Sequence, residues 1–179
     1  MAAMMFSDQE KEFFMNAALE EAQKAAINEE VPIGAVIVQY QTQKQASGLF
    51  ERIPGSPAKI IGRGYNRREL DNKAFHHAEI VAISDANHYV GNWRLLDCAL
   101  FVTVEPCVMC AGAIGLSRIS EVYYGAANQK FGAVESLYHI LTDERLNHQV
   151  QVERGILEEK CAAVMQDFFR NRRKLKKIE

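Results

Sequence analysis

The sequence predicts an α/β protein: a three-layer α-β-α sandwich, with one mixed sheet of about five strands and helices on both faces. Three observations carry this. Amphipathic helical stretches alternate along the chain with short β-branched runs. Some of those runs are apolar throughout, as strands covered on both faces are. And 179 residues, 48% hydrophobic and 25% charged, are enough for one ordinary buried core without disulfide staples.

Ser7-Asp8-Gln9-Glu10 is a capping box, with Ser7 placed to cap and Glu10 to answer it. After it Phe13, Phe14, Ala17, Ala18, Ala22, Ala25 and Ala26 recur at helical spacing, with Phe6 just ahead of them. They predict a helix of about five turns, its aromatics in the core, ending before Val31-Pro32. Ile33 to Val38 is a buried strand and Lys59 to Tyr65 a second. Between them Gln41 to Ala58 is polar, holds Gly48, Pro54, Gly55 and Pro57, and shows no sustained period. It is expected to be a long hairpin loop inserted into the domain. A polar link over 66–76 leads to a helix from His77 to about Tyr89, stopped by Gly91. Cys98 to Val104 is a third strand, and Pro106 suits the first turn of a helix running to Leu116. A fourth strand at Glu121–Tyr124, a short helix near Val134–Leu141, a fifth strand near Val150–Val152 and a long helix from about Leu157 to Lys176 complete the chain. Neither a repeat nor a linker divides it, so residues 1–179 are expected to form one domain.

Composition narrows the function classes. The chain has no long apolar run to span a bilayer and no secretory signal at Met1–Ser7. Four cysteines, two of them in one Cys-x-x-Cys, point to a reducing cytoplasm rather than a disulfide scaffold. Cys98 and Cys161 lie in apolar patterns and are expected to be buried. The last ten residues carry Arg170, Arg172, Arg173, Lys174, Lys176 and Lys177 against Glu179, a net +5. The other 15 basic and 22 acidic residues leave the body at −7. Such asymmetry suggests a polyanionic partner, or simply cations complementing a helix end.

The chemistry is concentrated in His77-Ala78-Glu79 and Pro106-Cys107-Val108-Met109-Cys110. His77 and both cysteines fall at predicted helix starts, where N–H groups and the helix dipole favour thiolate, the ligand form of cysteine. His77, Cys107 and Cys110 make three ligands for zinc and leave the fourth tetrahedral position for water, which is the catalytic pattern. A structural site would need a further ligand from His76, His88 or Glu105. Residues i and i+2 of a helix point about 200° apart, so Glu79 is not a companion ligand of His77 in mid-helix. At the looser helix start its carboxylate can project beside the metal-held water and move its proton. A redox role for the Cys-x-x-Cys lacks a thioredoxin-like setting.

His-x-Glu followed by Pro-Cys-x-x-Cys is the signature of zinc nucleobase deaminases. From Ser7 to about Lys177 the chain resembles the bacterial tRNA-specific adenosine deaminases of the cytidine deaminase superfamily. The resemblance rests on Val31-Pro32-Ile33-Gly34-Ala35-Val36, Gly64-Tyr65-Asn66, His77-Ala78-Glu79, the run Leu100 to Ala113, Tyr124-Gly125-Ala126 and Asp167-Phe168-Phe169-Arg170. It implies one zinc per subunit and hydrolysis of adenosine to inosine at the wobble position of an arginine tRNA anticodon. The base is splayed from the anticodon stem-loop, its C6 is attacked by zinc-activated water, and Glu79 shuttles the proton. It further implies that Asn66 hydrogen-bonds the flipped base, that Val31 and Pro32 form the pocket wall, and that Asn128, Phe169, Arg170 and Arg173 lie near the RNA. The basic tail would meet phosphates, and the subunits would pair as a homodimer. The long Gln41–Ala58 segment, where many members have a short turn, departs from the family's pattern. So does Lys73-Ala74-Phe75-His76, where many have Asp-Pro. The shared metal motif leaves a free-base or nucleoside deaminase acting on guanine or cytosine as the alternative. A non-catalytic RNA-binding module keeping zinc for structure is a further class, which the presence of Glu79 argues against.

Overall fold

A computed structural model describes residues 6–46, 50–53 and 55–175. Ser7 caps helix α1 (Asp8–Ile27) in the expected capping box with Glu10. Strands β1 (Gly34–Gln39), β4 (Lys59–Tyr65), β5 (Cys98–Val104), β6 (Glu121–Ala126) and β7 (Gln151–Arg154) make one sheet in the order β4-β1-β5-β6-β7. β1 is antiparallel to both β4 and β5, whereas β5, β6 and β7 run parallel, so the sheet is mixed as expected.

Alternation along β1 separates the two outer layers. Ala35 and Ile37 join Leu100, Val102, Val122 and Tyr124 beneath helices α3 (Ala78–Val90) and α4 (Val108–Leu116). Val36 and Val38 face the other way, onto Phe14, Met15 and Ala18 of α1 and Cys161 of helix α5 (Glu158–Leu175). Both Cys98 and Cys161 are buried free thiols. Phe13, expected in the core, is 65% exposed. Phe6, packed edge-on to Phe14, Tyr40, Phe101 and Tyr123, supplies the aromatic centre instead.

Helix α3 approaches the sheet unusually closely. A Cβ on Gly64 of β4 would lie 2.2 Å from the Ala78 carbonyl oxygen and 2.5 Å from the Ala82 nitrogen. Only a bare backbone there lets the helix start, with its functional residues, sit flat on the strand.

Four expectations change. The 41–58 segment contains a hairpin of its own, β2 (Thr42–Lys44) against β3 (Phe50–Arg52). Its anchor is tertiary: Arg52 donates to Glu10 Oε1 at 2.7 Å and to the Ser56 carbonyl at 2.9 Å, over the Phe6 ring. The polar link over 66–76 includes a short helix, α2 (Arg68–Asp71), closed by left-handed Asn72. Pro106 precedes α4 rather than opening it, because Cys107 is the extended N-cap. The helix expected over Val134–Leu141 is a series of turns, with a 3-10 turn at Ile140–Thr142 alone. Gly48, Pro54, Met1 to Met5 and the tail residues Lys176, Lys177 and Glu179 lie outside the described residues.

Candidate active site

The site lies where β1 begins and β5 ends. His77 is the N-cap of α3, with φ −78° and ψ 157°. That extended backbone answers the 200° problem: His77 is not yet helical, so its imidazole and the Glu79 carboxylate, one turn-start later, share a side. Cys107 caps α4 in the same extended conformation and Cys110 stands in its first turn. His77 Nδ1, Cys107 Sγ and Cys110 Sγ form an equilateral triangle with 3.6 Å edges. A tetrahedral ion held at about 2.0–2.3 Å needs ligand edges of about 3.5–3.8 Å, so the triangle is one face of a zinc site. They are the one such group among the described residues. Of the other proposed ligands, His76 Nδ1 is paired with Asp71 at 2.7 Å and Glu105 is committed to backbone donors. His88 is exposed toward the far end of α3. The fourth position is left open.

The electrostatics suit a cation. The neighbouring Cys110 thiol, opposed by burial and helped by His77, holds Cys107 down to about 4. Cys110 is pushed up by Cys107 and by burial, and His77 is raised by Cys107 against the effect of burial. Two sulfurs this close share one negative charge, and a divalent soft cation is the partner that lets both ionise.

Glu79 is 4% exposed, and its Oε2 has no hydrogen-bond partner. Burial pushes its carboxyl up to about 7, opposed by its own backbone N–H and by His77. A buried carboxylate oxygen left without a partner costs stability wherever it serves no chemistry. Asn66, at the end of β4, accepts the Ala78 N–H at 3.0 Å through Oδ1. Because the partner is a donor, the facing atom must be the oxygen, and the Nδ2 donors are left for the cleft.

These residues open into a cleft of about 880 Å3. Val31, Asn66, His77, Glu79, Cys107, Asn128, Phe169, Arg170 and Arg173, all expected from sequence, line it together. Pro32, expected in the wall, is buried behind it, and Cys110 is buried beneath Cys107. The Asn128 side-chain oxygen accepts the N–H groups of Lys130 and Phe131, shaping a turn. Ile33, Arg68, Lys130, Phe131, Met165 and Gln166 also line the cleft and were not anticipated. An aromatic-basic pair, Lys130-Phe131, was the available signal for two of them. The inserted hairpin springs from the far end of β1 and docks on the start of α1. It therefore lies at the opposite end of the sheet from the cleft.

A three-layer fold with His-Cys-Cys at two helix starts, an open coordination position and an adjacent buried glutamate defines a zinc-dependent deaminase of nucleobases. Residues 8–126 match the family model of the cytidine and deoxycytidylate deaminase zinc-binding region. The chain is 56% identical over 175 residues to a tRNA-specific adenosine deaminase of Streptococcus pyogenes serotype M1, covering 98% of this chain and 92% of that protein. It is 43% identical over 166 residues to the tRNA-specific adenosine deaminase of Bacillus subtilis, covering 93% and 92%. A solved structure from a study of A-to-I editing by tRNA:A34 deaminases at the wobble position superposes with a TM-score of 0.72 at 38% identity. That match covers 85% of this chain and 98% of that one. The chain belongs to the tRNA-specific adenosine deaminase family, within the cytidine deaminase superfamily.

Proposed function

We propose that this protein is a zinc-dependent hydrolase that converts adenosine to inosine at the wobble position of a tRNA anticodon, that of an arginine tRNA. The observation that carries the chemistry is the unpartnered Glu79 oxygen beside the His77-Cys107-Cys110 face, at the base of a cleft with a basic, aromatic rim. Zinc held by His77, Cys107 and Cys110 would supply the Lewis acidity that makes water a nucleophile at neutral pH. Glu79 takes one proton from the attacking water and delivers it to the ring nitrogen; it then carries the second, from the hydroxyl newly bonded to C6, to the amino group as the C6–N bond breaks. One water is consumed and one ammonia leaves. The Nδ2 group of Asn66 donates to a ring-nitrogen acceptor of adenine, which holds the base with C6 toward the metal-binding face.

The rim suits an RNA loop. Phe131, 68% exposed, and Phe169 offer faces on which unstacked bases can lie, and Arg68, Lys130, Arg170 and Arg173 offer charge to phosphates. Resemblance to tRNA-specific enzymes over nearly the full chain supports the same partner. We further infer a homodimer. Helix α4 exposes Val108, Met109 and Leu116, and the adjoining segment exposes Leu137 and Tyr138, an apolar face that a second copy would cover. Among the described residues no helix is long and apolar enough to cross a membrane. With free thiols and a tRNA substrate, the cytoplasm is the compartment we assign.

The test is inosine formation on an arginine tRNA transcript with adenosine at the wobble position, with free adenosine, guanine and cytidine alongside. Turnover of the tRNA alone is the expected result. Turnover of a free base or nucleoside instead would keep the zinc chemistry and overturn the substrate.

A further inference from the structure

Glu105 directly follows β5, the strand that delivers the metal-binding turn, two residues before Cys107, and is 2% exposed. It lines the cleft beside His77 and Cys107, yet none of its carboxylate hydrogen bonds goes to a metal ligand. Instead it is filled from one side by the segment after β6. Oε2 accepts the Asn128 N–H at 2.9 Å and the Ser136 hydroxyl. Oε1 accepts the N–H groups of Val134 at 3.2 Å, Glu135 at 2.8 Å and Ser136 at 2.9 Å. Five donors from a nine-residue stretch thus converge on one buried anion, and charge-assisted bonds of this kind are the strong ones. The turn is held again next door, where the Ala133 N–H donates to the Pro106 carbonyl at 2.9 Å and Cys107 bridges to Gly132. Gly132 is packed so closely that a Cβ there would fall 2.3 Å from Glu105 Oε2.

The loop held in this way carries Asn128, Lys130 and Phe131 into the cleft. Residues 127–139 form no helix or ladder strand beyond that single bridge, so besides the buried side chains of Ala133 and Val134 and the turn bonds of Asn128 and Gly132, the carboxylate is the main point at which the loop's backbone is fastened.

We propose that Glu105 is the positioning residue for substrate recognition: its buried carboxylate hangs the 128–136 loop, and with it Asn128, Lys130 and Phe131, from the strand end that carries the metal ligands. That side chain, with the Ala133–Pro106 hydrogen bond and the Cys107–Gly132 bridge beside it, thereby sets the separation between recognition groups and metal-binding face. This rests on the tRNA deaminase reading above, which is tested by the wild-type protein alone.

Glu105→Gln keeps the shape and turns one acceptor oxygen into an amide donor facing N–H groups. With an anticodon stem-loop bearing adenosine at the wobble position, KM is expected to rise about tenfold or more, from the loss of one or two charged hydrogen bonds. The expected kcat stays within about threefold of wild type, because the proton-moving group and ligands are untouched. Zinc content should remain stoichiometric, while amide exchange at 128–136 accelerates and exchange in β5 and α4 does not. Gly132→Ala, which keeps the carboxylate and crowds the loop away from it, should give the same KM-weighted loss, and serves if Glu105→Gln fails to fold. Wild-type loop exchange with unchanged KM in a folded variant would overturn the proposal. So would loss of zinc or of kcat at unchanged KM, which would make Glu105 a prop of the metal turn. A wild-type protein inactive on the stem-loop would instead refute the substrate reading, leaving the exchange data to judge Glu105.

Discussion

Gly64→Ala isolates how α3 is seated from what its residues do. The added Cβ would stand 2.2 Å from the Ala78 carbonyl oxygen, 2.5 Å from the Ala82 nitrogen and 3.0 Å from Val81 Cβ. Two of those three atoms are backbone, so no side chain can rotate aside, and the start of α3 must lift by about 1 Å to restore van der Waals contact. Overpacking of this kind costs about 1–3 kcal/mol in stability. The functional consequence is larger than the stability loss. Ala78 directly follows His77, whose Nδ1 completes a triangle with 3.6 Å edges. Metal–ligand distances tolerate about 0.2 Å, so a shift of about 1 Å removes one ligand from register. Urea unfolding, zinc release to a colorimetric chelator and inosine formation should be measured on the same preparations. Ala86→Gly, later on the same helix, is the control: it costs about 1 kcal/mol in helix propensity and about as much again for its buried methyl, without pressing on the helix start. Gly64→Ala is expected to release zinc much faster than both wild type and this control, and to lose activity in parallel. Wild-type zinc release from Gly64→Ala, or equal acceleration in Ala86→Gly, would refute the reasoning.

Three further outcomes follow from the same structure. Glu79→Gln should keep zinc and unfold no earlier than wild type, since Oε2 has no partner to lose, while kcat falls about 10²–10⁴-fold; near-normal turnover would remove Glu79 from proton transfer. Arg170→Ala with Arg173→Ala should weaken binding to tRNA and lower the slope of log affinity against log salt by up to about 2. An unchanged slope would take both arginines off the phosphates. Burial works against Glu10, yet Arg52 and Ser7 hold its carboxyl down to about 2, so its contribution is complete above the ordinary value of 4.5 and fades as pH falls toward 2. Its side chain is 37% exposed, and solvent screening reduces the cost of Glu10→Gln to about 1 kcal/mol at pH 7. The deficit, measured by urea unfolding, should shrink below pH 4.5; a deficit independent of pH would sink the ion pair as the hairpin's anchor.

What sequence alone determined is whatever short-range spacing encodes. Ligand chemistry is local, so His77, Glu79, Cys107 and Cys110 were legible from two motifs before any geometry was known. Periodicity marked α1 and α3, whose buried faces repeat every 3.6 residues, and continuous apolar runs marked β1 and β5, which are buried on both faces. It misplaced Phe13, whose spacing fits the apolar stripe but which lies at the stripe's edge, beside exposed Gln9 and Asn16. Tertiary structure decided the rest. The Val134–Leu141 helix did not form because the later N–H groups turn back past the i−4 carbonyls, Leu137 to the Gly132 carbonyl at 3.1 Å and Ile140 to that of Ala133 at 3.1 Å, while Glu105, 29 to 31 residues away, takes those of Val134, Glu135 and Ser136. The hairpin in 41–58 carries no apolar alternation of its own and is held by Arg52 reaching Glu10, 42 residues back. The cleft gathers Ile33, Arg68, Phe131 and Met165 from four separate segments of the chain, and only the sheet order brings those segments together. Local propensity acts over about four residues; a buried charge acts on whatever backbone the fold carries to it, and that is where sequence pattern stopped and packing began.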